Sequence, residues 1–171
     1  MTRVLTDLIV IGGAAGALEA LLALVPLISE QCAAPIAIAL HLGANQRNLV
    51  PELLRSAGRR PAFEAEDKQP LEPRTIYVAP PNYHLLIERS GTLALSVDEV
   101  VNFSRPSIDV LFESAADAFR NRVSGVLLSG ANDDGARGLE RIAALGGRAY
   151  VQAPASAAHA TMPDAALRRL G

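Results

Sequence analysis

Three groups of residues in this 171-residue sequence can do chemistry together. The first is the turn Gly12-Gly13-Ala14-Ala15-Gly16, set between the apolar run Leu8-Ile9-Val10-Ile11 and the helix-forming run Ala17-Leu18-Glu19-Ala20-Leu21-Leu22. The second is His41, which closes another apolar run, Pro35-Ile36-Ala37-Ile38-Ala39-Leu40. The third is Ser129-Gly130-Ala131-Asn132-Asp133-Asp134-Gly135, which follows Val123-Ser124-Gly125-Val126-Leu127-Leu128. A strand that turns tightly into a helix gathers backbone N–H groups and the positive end of the helix dipole at one point. That junction suits a phosphate or the oxyanion of an acyl-transfer intermediate. A histidine supplies a general base, and an aspartate that orients its ring completes the arrangement that activates a serine hydroxyl. Taken singly, His41 equally fits a structural hydrogen-bonding role, and Asp133 and Asp134 fit helix caps.

Two chemistries compete for the first turn. A dinucleotide-binding G-x-G-x-x-G read from Gly12 gives Gly12, Ala14 and Ala17, so the glycine that lets backbone approach the pyrophosphate is missing. The acidic ribose-binding residue of that motif is also absent, because His41 stands at the end of the second strand. The nucleophile turn G-x-S-x-G fits better. Gly12 and Gly16 have its spacing, and alanine occupies the serine position at Ala14.

The elements that must position these groups alternate. Strands are expected at 5–11, 35–40, 62–65, 75–79 and 123–128, with a further strand starting near Gly147. Helices are expected at 16–29, 46–57, 107–119, 135–145 and 162–170. A β-hairpin is expected around Arg89-Ser90-Gly91, with arms 84–88 and 92–97. The second and last of the long apolar runs lack alternation, the mark of strands buried on both faces. The fold class is therefore α/β, a doubly wound, mainly parallel Rossmann-like sheet flanked by helices with a hairpin insertion, in one domain over residues 1–171. Its site lies beyond the carboxyl ends of the strands.

Composition narrows the class. Half the residues are apolar, enough for a globular core, and the formal net charge of −2 with no basic block argues against a nucleic-acid partner. No uncharged run approaches the roughly 18–20 residues that span a bilayer, so membrane insertion is not expected and the location is read as cytoplasmic. Cys32 is the only cysteine, which rules out an internal disulfide and favours a reducing compartment; it is expected to be a small buried hydrophobe.

Four motifs in order carry a resemblance: Ile11-Gly12-Gly13-Ala14-Ala15-Gly16-Ala17-Leu18-Glu19-Ala20, Tyr77-Val78-Ala79-Pro80-Pro81, Arg105-Pro106-Ser107-Ile108-Asp109-Val110-Leu111-Phe112, and Leu128-Ser129-Gly130-Ala131-Asn132-Asp133-Asp134-Gly135-Ala136. The sequence resembles the C-terminal catalytic domain of the chemotaxis protein-glutamate methylesterases, the CheB type. The resemblance implies hydrolysis of glutamate methyl esters on chemoreceptor helices with release of methanol, deamidation of glutamine in some members, and no cofactor or metal. It implies as partners the cytoplasmic helices of methylated chemoreceptors or another methylated signalling protein. Matched by motif, the nucleophile position falls at Ala14, the general base at His41, the orienting aspartate at Asp134, and an oxyanion-hole N–H at Ala131. Gly13 and Ala15 flank the nucleophile position in the oxyanion and substrate site. His84 and Arg105 are expected near it, His84 on an exposed loop and Arg105 as a loop anchor or a contact for the substrate's carboxylate region.

The family often carries an N-terminal receiver domain, which is not expected within residues 1–171, and its catalytic domain usually extends further; the sequence reads as a stand-alone member, a fragment of a larger fusion or an excised domain that ends short of a final strand or helix. The larger departure is Ala14. By analogy with serine hydrolases, loss of the nucleophilic serine costs on the order of 10⁶-fold in turnover, so little or no esterase activity is expected. Either a serine has been replaced in an otherwise intact esterase, or the chain is a natural relative that binds receptor or another signalling protein without catalysis.

Overall fold

The structure is a computed structural model that describes residues 7–42 and 47–171. Six parallel strands form the central sheet: β1 (Leu8–Gly13), β2 (Ile36–Leu40), β3 (Ala62–Glu64), β4 (Ile76–Val78), β7 (Val123–Leu127) and β8 (Arg148–Val151). Their order is β3-β4-β2-β1-β7-β8. The chain lays β2 on one side of β1 and β7 on the other, so the switch point of the topology falls at the carboxyl end of β1. Open α/β sheets bind ligands at that crevice.

The unbroken apolar runs are explained by two helical layers. Along β2, Ala37 and Ala39 face one core while Ile36, Ile38 and Leu40 face the other, and all five residues are buried. The first core is closed by α3 (Ile108–Phe119), α4 (Ala136–Ala144), α5 (Thr161–Leu170) and the hairpin of β5 (His84–Ile87) with β6 (Leu93–Ser96). The second is closed by α1 (Ala17–Leu24) and α2 (Val50–Ala57).

Three expectations shift. The first helix ends at Leu24 and passes into a single 3-10 turn over Val25–Leu27, because Pro26 has no N–H to continue the α ladder. The second helix begins at Val50, with Pro51 in its first turn; the expected start at Gln46 and the first residues of the first strand lie outside the described residues. Cys32 is half-buried, and its carbonyl accepts a hydrogen bond from Arg60.

Close packing at the switch point has a measurable consequence. A Cβ on Gly12 would overlap Cγ2 of Ile108, the first residue of α3. Relieving that overlap moves either β1 or the start of α3. Gly12→Ala is therefore expected to lower stability by about 1–3 kcal/mol, read from urea unfolding midpoints; an unchanged midpoint would show that α3 gives way freely.

Candidate active site

Strand register brings the three sequence groups together. Gly13 pairs with Leu40, and the carbonyl of Gly13 accepts the N–H of His41 at 3.1 Å, so Ala14 and His41 leave adjacent strands side by side. On the other flank the N–H of Ala14 donates to the carbonyl of Ser129 at 2.9 Å, which fixes the β7 loop against the same turn. Ser129 Oγ donates to the carbonyl of Ala15 at 2.7 Å. Ala14 thus prolongs the β1 ladder and does not take the left-handed backbone of a strained nucleophile turn. The positive φ falls at Gly16 (φ 80°), which opens α1.

His41 Nε2 lies 2.7 Å from Asp134 Oδ2, and the His41 side chain is 15% exposed while that of Asp134 is 0%. Asp134 is the convergence point of the site. Its carboxylate accepts hydrogen bonds from the N–H groups of Ile108 (2.7 Å) and Asp109 (3.1 Å), from Ser107 Oγ (2.9 Å) and from Asn102 Nδ2 (2.8 Å), besides the imidazole. Two of those donors are the first free N–H groups of α3. Asp134 therefore caps that helix from a different element, and its negative charge meets the positive helix end. Burial pushes the Asp134 carboxyl up, but the bonds from His41, Ile108 and Asn102 outweigh it and hold the group below the usual carboxylate range.

Asp109 returns the exchange. Its Oδ1 accepts the N–H of Gly138 in the first turn of α4 at 2.7 Å, and its Oδ2 accepts Asn102 Nδ2 at 2.7 Å. Burial raises the Asp109 carboxyl pKa, with the neighbouring Asp134 charge adding to the rise. Asp134, in the loop before α4, thus caps α3, and Asp109, in the first turn of α3, holds the first turn of α4.

With Nε2–H committed to Asp134, the imidazole presents Nδ1 to the cleft, where Asn132 Nδ2 lies at 3.4 Å and Ser104 Oγ at 3.5 Å. The cleft measures about 230 Å³ and is lined by His41, Leu42, Asn82, Phe103, Ser104 and Arg105 among others. Ala131, after β7, is exposed, and its N–H has no acceptor among the described residues, as an oxyanion donor requires. Arg105 is fastened by Asn82 Oδ1, which accepts from Nε and Nη2, and by the carbonyls of Val97 and Asp98, which accept from Nη1.

His84 is placed differently from the sequence expectation. It opens β5, is 2% exposed, and has both ring nitrogens engaged: Nδ1 accepts the N–H of Ser107 at 3.1 Å and Nε2 bonds the carbonyl of Glu99 at 2.8 Å. It neither lies on an exposed loop nor reaches the cleft, because the start of α3 packs over it. Asn102, Ser104, Ser107 and Asp109 were missed as site residues. All four lie in or beside the Arg105-to-Phe112 motif, which was the one available signal.

A family profile described as CheB methylesterase matches residues 9–170. The chain belongs to that family. A relative from Leptospira interrogans is 45% identical over 161 residues, covering 94% of this chain and 83% of the relative. The protein-glutamate methylesterase/protein-glutamine glutaminase of group 2 operon from Bradyrhizobium diazoefficiens is 38% identical over 165 residues, 92% of this chain but 41% of that protein. Among solved structures, the CheB methylesterase catalytic domain of Thermotoga maritima superposes with a TM-score of 0.89 at 24% identity, covering 95% of this chain and 87% of that one, a match that establishes the fold. The family is one of methylesterases, which are carboxylic ester hydrolases. Among the described residues, no group of His, Cys, Asp or Glu is arranged to hold a metal ion, and no helix is long and apolar enough to cross a membrane.

Proposed function

We propose that this chain is a protein-glutamate methylesterase domain of the Ser-His-Asp type in which Ala14 occupies the nucleophile position, so that it binds glutamate methyl esters without turning them over by that route. The observation that carries the reading is the register of the two strands, in which Gly13, next to Ala14, pairs with Leu40 and its carbonyl accepts the His41 N–H, with His41 held 2.7 Å from a fully buried Asp134. In this reading a hydroxyl at position 14 attacks the ester carbonyl, His41 Nδ1 takes its proton, and the Ala131 N–H meets the oxyanion. Methanol leaves with the proton from His41, and water then releases the glutamate. The partner is a methylated chemoreceptor helix or another methylated signalling protein in the cytoplasm.

Ala14→Ser tests the reading through methanol release from methylated receptor. A folded Ala14→Ser protein that releases none overturns it. Binding of methylated receptor by the unsubstituted chain, with methylation lost far more slowly than with Ala14→Ser, is the expected companion result and describes a binding role for the same cleft.

A further inference from the structure

The cleft beside His41 holds a hydroxyl that the reading above leaves unused. Ser104 Oγ lies 3.5 Å from His41 Nδ1, and both residues line the same cleft. Ser104 is the first residue after a two-residue turn, Asn102-Phe103, closed by reciprocal backbone hydrogen bonds of 3.0 Å between Val101 and Ser104. Both turn residues are left-handed, with φ of 53° and 61°, as a type I′ turn requires. Asparagine tolerates this conformation; phenylalanine does so under strain, and Phe103 is 100% exposed, so no burial of its ring offsets it. Strain of this kind persists where surrounding contacts over-determine the backbone, and it concentrates at functional sites. Here the contacts come from Asn102 Nδ2, which donates to Asp109 Oδ2 at 2.7 Å and to Asp134 Oδ1 at 2.8 Å. One buried carboxylate therefore orients the imidazole through Oδ2 and anchors, through Oδ1, the turn that presents a serine to that imidazole.

We propose that Ser104 is a second nucleophile position of this site, acylated by an ester held in the cleft with His41 Nδ1 as proton acceptor. The proposal rests on His41 acting as the base in the reading above. Ser104 Oγ bonds to the carbonyl carbon while its proton passes to His41. The bond to the alkoxy oxygen then breaks, the alkoxide takes that proton and departs as the alcohol, and Ser104 carries the acyl group. A separation of 3.5 Å is long for the transfer, yet catalytic hydrogen bonds are often long before substrate binds and tighten in the reacting complex. The hydroxyl also donates to the Asn102 carbonyl at 3.4 Å, and Asn132 Nδ2 lies 3.4 Å from His41 Nδ1, so the attack requires both contacts to give way as substrate enters. Ala131 lies on the β7 side of Ala14, whereas Ser104 reaches His41 from the loop before α3. Attack by Ser104 is therefore the slower one, with weaker oxyanion support.

A fluorophosphonate probe tests this directly: a serine oxygen forms the O–P bond, the P–F bond breaks, and fluoride leaves while the base takes the hydroxyl proton. The unsubstituted chain is expected to carry the phosphonyl group on the peptide containing Ser104. Labelling should fall at least tenfold in Ser104→Ala and in His41→Gln, each checked for folding by circular dichroism. In Ala14→Ser the label is expected on the peptide bearing position 14, forming roughly 10²–10³-fold faster, the usual effect of an oxyanion donor. A labelled Ala14→Ser protein beside an unlabelled parent overturns the proposal and leaves the esterase reading standing. Labelling of Ser104 that is unchanged in His41→Gln overturns it as well. Absence of label in both folded proteins overturns the proposal and the esterase reading together.

Discussion

Ala14→Ser is expected to raise methanol release from methylated receptor by at least 10³-fold over the unsubstituted chain. The size follows from what the site already holds. In serine hydrolases, loss of the nucleophile removes on the order of 10⁶ in turnover and leaves the contribution of binding and oxyanion stabilisation. The position adds one hydroxyl to a turn whose backbone is fixed on both flanks, by His41 N–H to Gly13 O and by Ala14 N–H to Ser129 O. A serine at this half-buried position introduces no large volume. The substitution therefore changes chemistry with little change in packing. The floor of 10³ allows for imperfect placement of the new Oγ, since a hydroxyl misplaced by about an ångström can lose 10²-fold. Substrate affinity is expected to stay within a few-fold, because the lining of the cleft, Arg105 and Phe103 included, is untouched. A gain that appears in affinity and not in turnover would mean that His41 does not act as the base.

How far the sequence carries toward this site depends on the range of the interactions involved. The sheet was legible because burial on both faces removes alternation from Ile36–Leu40 and from Val123–Leu127. The hairpin was legible because Gly91 sits between its arms and takes a left-handed φ of 82°. The end of the first helix was misjudged, since the apolar spacing continues through Val25 and Ile28 while Pro26 ends the α ladder. Ser107 and Asp109 were visible as helix-start residues, but as local caps. The cap of α3 is in fact Asp134, 26 positions from Ile108, and Asp109 instead serves α4. Such exchange between helices leaves no local pattern. His84 illustrates the opposite error: a histidine after Pro80-Pro81-Asn82-Tyr83 reads as exposed, and only the packing of α3 over β5 buries it.

Asp134 is the residue whose loss is expected to damage both fold and chemistry, and two substitutions separate those effects. Asp134→Ala leaves five donors without their acceptor: His41 Nε2, Asn102 Nδ2, Ser107 Oγ and the N–H groups of Ile108 and Asp109. Breaking a buried, charge-assisted cluster on one side costs about 3–5 kcal/mol, so Asp134→Ala is expected to unfold at a markedly lower urea concentration. Asp134→Asn keeps the shape and one acceptor oxygen, so its loss of stability is smaller. In the Ala14→Ser background it should nevertheless lose on the order of 10²–10⁴ in turnover, because the amide no longer stabilises a protonated imidazole or fixes its tautomer. Acidity provides an independent check. The folded Asp134 carboxyl titrates below the unfolded value of about 3.9. Its stabilisation is thus complete above that pH and is lost as pH falls through the folded value. Asp109 runs the other way: its raised pKa means that its contribution weakens as pH rises through the range above the unfolded value. The stability gap between the Asp134 parent and Asp134→Asn should therefore narrow as pH falls below about 4. A gap that stays constant down to pH 2, measured by urea unfolding at each pH, would show that the carboxylate charge does not hold α3 and His41 in place.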